Sequence, residues 1–409
     1  MHHLKQDYLI SMKHFKLKFA VFIITFIIGS TTCYRSYYDF NVLSGHPESS
    51  LLRLYGQSEE ELYFFNKAVT SILTNQDFNG NIYISKNGIT LYDRSIGFSD
   101  YKTSQALNKT TVFQLASISK TFTATAILLL QEDSLLSIND SVVKHIPEFP
   151  YEDITIKHLL THTSGLQNYM YLLENFWTGS EFPDNEDVLE FYIRQNRSLN
   201  FNPGSKFQYS NTGYVFLALI VERVSGKPFP DFLNERIFSP LGLNNTFVYD
   251  PRKTDTINNR AYGYRKSGNN WLIIPDDMLD AVFGDKGVYS NIPDLQKWDY
   301  TLYSDTLIPD EKKKEAFSFA RLDNDSLIDY GYGWRLQEFL DYKVIHHPGR
   351  WHGFRTSFKR YTDNRAVLII LSNNDTDIAD LVDTLQNLMF KEEREVWMSK
   401  QNKHLEGFD

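Results

Sequence analysis

A chain of 409 residues with 42% hydrophobic and 15% aromatic residues carries enough apolar material for a large core, which excludes a disordered chain. The length suits two ordinary domains, or one large enzyme domain with an inserted subdomain. A formal charge of −9, with no basic stripe bearing interleaved aromatics, argues against nucleic acid as a partner.

The N-terminus reads as an export signal over residues 1–33. Lys13, Lys16 and Lys18 precede an apolar run from Phe19 to Gly29, a positive region followed by a short hydrophobic one. That run is short for a membrane-crossing helix, and Met12 is an alternative start to Met1. Cys33 is the only cysteine, so an intrachain disulfide is ruled out. Its position just after the run suits lipid attachment to a membrane, although Ser30-Thr31-Thr32 is a poor match to a lipobox. Cleavage nearby and an uncleaved anchor stay open.

Residues 34–58 read as a linker into a first helix around Glu59–Leu73. Asn81 to Phe98 alternates in polarity about Asn87-Gly88, the favoured pair for a tight hairpin turn. A long helix follows, its apolar positions recurring at helical spacing through Leu130. Residues 135–280 alternate helix signals with turn clusters and read as an inserted, all-helical subdomain. Three strands close the pattern, around 341–350, 354–361 and 366–374, then a helix over Asp377–Met389 and a charged tail at 393–409. The expected fold class is α+β, an antiparallel sheet flanked by helices, with the main domain over 59–392.

Ser117-Ile118-Ser119-Lys120 puts a serine and a lysine one helical turn apart at the mouth of the long apolar helix. A serine hydroxyl becomes a nucleophile when a base takes its proton, and a lysine serves when burial lowers its pKa. A second such quartet, Ser141 to Lys144, follows turn residues and reads as solvated helix. Tyr209-Ser210-Asn211 offers a phenol for proton relay and an amide for a substrate carbonyl, and Tyr289-Ser290-Asn291 duplicates it. In His347-Pro348-Gly349, His347 and Gly349 point one way on a strand, and Pro348 suits an edge beside a cleft. Gly349 would let a substrate lie against the backbone. No His, Glu and Cys set has zinc spacing, and no metal or organic cofactor is expected.

Five blocks, "FQLASISKTFTA", "LLTHTSGL", "PGSKFQYSNTGY", "GDKGVYSNIPDLQKW" and "HHPGRWHGF", resemble in type and order the serine β-lactamase-related family of penicillin-binding-like hydrolases, over about residues 60–392. The resemblance implies a β-lactamase/transpeptidase-like fold and an acyl-enzyme on Ser117, with Lys120 and Tyr209 moving the proton. It assigns Asn211, His347, Gly349 and Arg350 to substrate binding, and the Ser117 and Arg350 backbone N–H groups to an oxyanion hole. His162 would shape a loop. His347-Pro348-Gly349 takes the place of the family's K-T-G or H-x-G; compared with the K-T-G of β-lactamases it puts a largely neutral imidazole where a cation helps hold a carboxylate. That departure favours an ester, amide or D-amino-acid peptide over efficient β-lactam hydrolysis. A non-hydrolytic peptide-binding or sensor module is the alternative.

Overall fold

The structure, a computed structural model, describes residues 58–253 and 257–406. The expected export segment, Cys33 and all but the last residue of the 34–58 linker lie outside the described residues.

Helix α1 (Glu59–Asn75) begins at a capping box in which the Ser58 side chain accepts from the Glu61 N–H while Glu61 reaches back. Strands β1 (Gly80–Lys86) and β2 (Ile89–Ile96) form the expected hairpin. Asn87 and Gly88 both take positive φ, 54° and 77°, as its turn demands. Helix α2 (Ser119–Glu132) is buried at every position from Ser119 to Leu130, so it is a core helix and not a surface one. Helix α3 (Asn211–Ser225) packs against it.

Strands β3 (Arg335–Phe339), β4 (Tyr342–Trp351), β5 (Phe354–Tyr361) and β6 (Ala366–Ser372) join the hairpin in one antiparallel sheet, ordered β3-β4-β5-β6-β1-β2. Strand β6 is buried at all seven positions, as a central strand covered on both faces must be. Alternate residues serve two cores. Val367, Ile369 and Leu371 pack with α2 and the helical part, while Leu368 and Ile370 pack with α1 and helix α4 (Ala379–Met389).

Residues 135–280, expected to be all-helical, also hold strand. Phe247–Val248 pairs with Val288–Ser290, and Tyr264–Ser267 pairs with Asn270–Ile273. Strands of two to four residues are too short to carry a period, which is why a helical reading prevailed there. The charged C-terminal stretch is helical too, as α5 (Lys391–Glu406), a run of Glu, Lys and Arg with no glycine or proline.

Candidate active site

Ser117 lies in the single tight turn Ala116–Ile118 that leads into α2. Ala116 is held at φ 51°, a left-handed backbone that costs a non-glycine residue on the order of 1–3 kcal/mol. The surroundings fix it: the Leu115 N–H donates to Val288 O at 2.8 Å, and Thr356 Oγ1 donates to Leu115 O at 2.9 Å.

Lys120 answers its sequence position. It is fully buried, and its Nζ donates to Ser117 Oγ at 3.2 Å, Asn211 Oδ1 at 2.8 Å and Asp285 O at 2.8 Å. Burial draws its pKa from 10.5 down to about 7; the Asp285 carboxylate opposes that fall and the Arg335 guanidinium adds to it. A lysine so placed is partly neutral at neutral pH and in contact with the hydroxyl it could deprotonate.

Tyr209 and Asn211 flank Ser210, the N-cap of α3, whose side chain accepts from the Gly213 N–H. The cap therefore fixes both neighbours. Burial pushes the Tyr209 phenol well above its usual value, although bonding to Ser117 and the Arg335 charge pull the other way. It is a neutral phenol at any ordinary pH. His162, itself at φ 59°, accepts the Ser210 N–H on Nδ1 at 3.1 Å, and its ring lies 4.3 Å from that of Tyr209. Burial holds it neutral, so it shapes the loop that carries Tyr209.

Strand β3 pairs with β4 only from Tyr342 to His346, so His347 to Trp351 form a free edge on that side, as Pro348 suggested. His347 and Gly349 face the interior, Pro348 and Arg350 the outside. Both His347 nitrogens are engaged: Nδ1–H donates to Pro348 O at 2.7 Å, and Nε2 accepts from Tyr330 OH at 3.1 Å. Burial keeps the ring neutral. The space beside Gly349 is filled by the protein itself. A Cβ there would meet Thr356 Oγ1 at 2.1 Å and Leu115 O at 2.3 Å, so this glycine lets β4 press against the turn that presents Ser117.

The duplicate motifs fall away from this centre. Lys144 is exposed and paired with Asp140, and Ser141 Oγ donates to Glu152 O. Tyr289 is buried and accepts from Arg260, and Asn291 caps a helix. Sequence reading missed Arg335, whose guanidinium lies 5.2 Å over the Tyr209 ring. It also missed a buried trio in which Lys286 donates to Tyr169 OH at 2.8 Å and Tyr169 donates to Asp285 at 3.2 Å. Asp285 and Lys286 sat inside a quoted block; Arg335 carried no signal at all.

Two clefts of about 460 and 440 Å³ meet at Ser117. One runs past Asn211, Lys286 and Trp351, the other past Tyr209, His347 and Gly349 along the free edge of β4, with Arg350 shared. Beside the first, Asp277, Asp280 and His352 bring their polar atoms within 4.8 Å of one another. Burial opposes charge on His352, but the two carboxylates outweigh it and lift the imidazole to about 9, so the group behaves as an ion-paired cluster.

Residues 65–389 match the family described as Beta-lactamase. Penicillin-binding protein 4* of Bacillus subtilis is 39% identical over 311 residues, covering 73% of this chain and 69% of that protein. A teichoic acid D-alanine hydrolase of Staphylococcus aureus is 26% identical over 62% of this chain and 60% of its own length. Among solved structures, a penicillin-binding protein from Bacillus halodurans has a TM-score of 0.69 at 24% identity, over 78% of this chain and 98% of that one. The D-amino acid amidase from Ochrobactrum anthropi SV3 has a TM-score of 0.67 at 22% identity, over 80% and 98%.

Proposed function

Because the chain belongs to the beta-lactamase family, we propose that it is an exported serine hydrolase acting through an acyl-enzyme on Ser117. The observation that carries this reading is Lys120 itself: a fully buried amine drawn to about 7 and bonded to Ser117 Oγ. A purely structural lysine gains nothing from that setting.

Neutral Lys120 takes the Ser117 hydroxyl proton as Oγ bonds to the substrate carbonyl carbon. The oxyanion that forms is met by the backbone N–H groups of Ser117 and Arg350, two segments that Gly349 allows to approach closely. As the tetrahedral intermediate collapses, the proton passes from Lys120 through the Tyr209 phenol to the leaving oxygen or nitrogen. Asn211 orients both Lys120 and the substrate carbonyl. Water then adds to the acyl-enzyme by the reverse route and frees Ser117. Among the described residues no group but these is required for the proton path, and the chemistry calls on no metal or organic cofactor.

The substrate is an ester, an amide or a D-amino-acid peptide. A neutral His347, engaged at both nitrogens, does not supply the cation of a K-T-G site. Two relatives bear names that refer to D-amino-acid derivatives, one as a D-alanine hydrolase and one as an amidase. Work outside the cytoplasm is what the N-terminal pattern supports, with Cys33 as the candidate for lipid attachment beside cleavage nearby or an uncleaved anchor; among the described residues no helix is long and apolar enough to cross a membrane. The catalytic unit spans 59–392, with 135–280 as its insertion.

The test is labelling by a fluorophosphonate and by a fluorescent penicillin, followed by intact mass in the wild type and in Ser117→Ala. Fluorophosphonate labelling that the mutation abolishes is the expected result, and penicillin labelling would direct the substrate search to D-alanyl peptides. A wild type that neither reagent labels would leave a binding module.

A further inference from the structure

Four cations line the cleft that runs along the free edge of β4: Arg335, Arg350, Arg355 and Lys359. Among the described residues none of them forms an ion pair. Arg355 donates only to the neighbouring Phe354 carbonyl. Arg335 lies over the rings of Tyr209 and Tyr330, and its buried Nε has no hydrogen-bond partner.

Lys359 is the most telling of them. It is 4% exposed and its side chain makes neither a hydrogen bond nor an ion pair among the described residues, while its Nζ keeps access to the cleft. Asp383 and Asp377 line the same cleft, and Asp383 is the carboxylate that acts on Lys359, yet it stands beyond ion-pair range. Asp377 is occupied in capping the Ala379 N–H at the start of α4. His346, directly opposite Lys359 in register, is held neutral by burial and by the Lys359 and Arg335 charges. The stem of Lys359 is packed while its ammonium opens to the cleft, where a solute can reach it. The arrangement is that of a receptor whose anion comes from outside.

Lys359 on β5 pairs with His346 and Leu368, and its side chain points to the α4 face of the sheet, whereas Thr356 and Gly349 face the Ser117 turn; the cleft joins the two faces around the free edge of β4. We propose that this end of the cleft is an oxyanion subsite in which Lys359 and Arg335 bind a phosphate or carboxylate carried by the substrate, beyond the free edge of β4 from the carbonyl that Ser117 attacks. The placement relative to the scissile bond rests on Ser117 being the nucleophile; the anion site itself does not.

The subsite is tested by calorimetric titration of the full chain with inorganic phosphate and, separately, with glutarate, at constant ionic strength set by chloride. Binding of at least one is expected, weakened by about tenfold or more in Lys359→Met and unchanged in Lys67→Met, which removes an equal charge from exposed α1. Phosphate binding alone identifies a phosphate-bearing substrate, and glutarate binding alone a carboxylate-bearing one. Lys359→Met keeps an unbranched side chain of similar length and should retain a cooperative melt, so the binding comparison is made on folded protein. Absence of binding by both anions, or equal affinity in Lys359→Met, would overturn the proposal. Ser117→Ala should bind as the wild type does, so failure of the nucleophile assignment is read separately.

Discussion

Lys120 makes the pH dependence of acylation a direct reading of the site. Its fall from 10.5 to about 7 corresponds to roughly 5 kcal/mol of selection against the ammonium form. Only the neutral amine can take the Ser117 proton. The acylation rate should therefore rise with pH, from about a tenth of its plateau one unit below the pKa to about nine-tenths one unit above it. The assay is the second-order rate of fluorophosphonate labelling of Ser117 between pH 5.5 and 9.5. Two neighbours give the test a sign. The Asp285 carboxylate favours the ammonium, so Asp285→Asn should move the inflection down; the Arg335 charge opposes it, so Arg335→Gln should move it up. A flat profile, an inflection near 10, or shifts of the same sign in both variants would refute the assignment of Lys120 as base.

Tyr209→Phe should slow turnover of an ester by about 10²–10⁴-fold while the acyl-enzyme builds up, seen as a persistent mass adduct, because the relay proton is lost. Gly349→Ala drives a methyl group into Leu115 O and Thr356 Oγ1 and should lower stability by about 1–3 kcal/mol in thermal melts, with labelling of Ser117 reduced alongside. Lys144→Ala, at an exposed i,i+4 pair, should change stability by about 0.5 kcal/mol or less and leave labelling as in the wild type. His352 is raised to about 9, so the stability it contributes is complete below its unfolded value near 6.5 and is lost as pH rises through about 9. Between pH 6.5 and 10 the wild type should lose more melting temperature than His352→Asn, a residue that tolerates the local φ of 37°.

The parts of the fold that the sequence declares are those in which local chemistry and tertiary demand agree. Asn87-Gly88 needs positive φ at both positions and has residues that accept it, and the all-apolar β6 is where a doubly covered strand belongs. The short strands inside 135–280 were illegible because two to four residues carry no period. At the site, what sets the Ser117-Lys120 pair apart from Ser141-Lys144 is that only the first leads into a helix buried on all sides. Gly349 could be read as important but not for the right neighbour: what it admits is the backbone of Leu115, distant in sequence and set against it by β5. Arg335 was invisible for a related reason. An arginine at a strand start looks like any surface arginine until the fold sets it over Tyr209 without a partner.

The electrostatics of the cleft join these observations into one balance. Lys120 sits between Asp285, which raises its proton affinity, and Arg335, which lowers it. Asp285 is tied down by Tyr169 and Lys286, so its contribution is fixed by the fold. Arg335 is held only by ring contacts and lines the cleft, so its contribution depends on what lies beside it. An anion resting on Arg335 and Lys359 would offset part of that positive field and raise the proton affinity of Lys120. Since only the neutral amine takes the Ser117 proton, an occupied cleft would move the inflection of acylation to higher pH. A carboxylate built into the protein at that place would pair Arg335 permanently and remove the difference. The missing partner of Lys359 and Arg335 and the poised amine of Lys120 are accordingly two aspects of one charge arrangement, which the substrate completes.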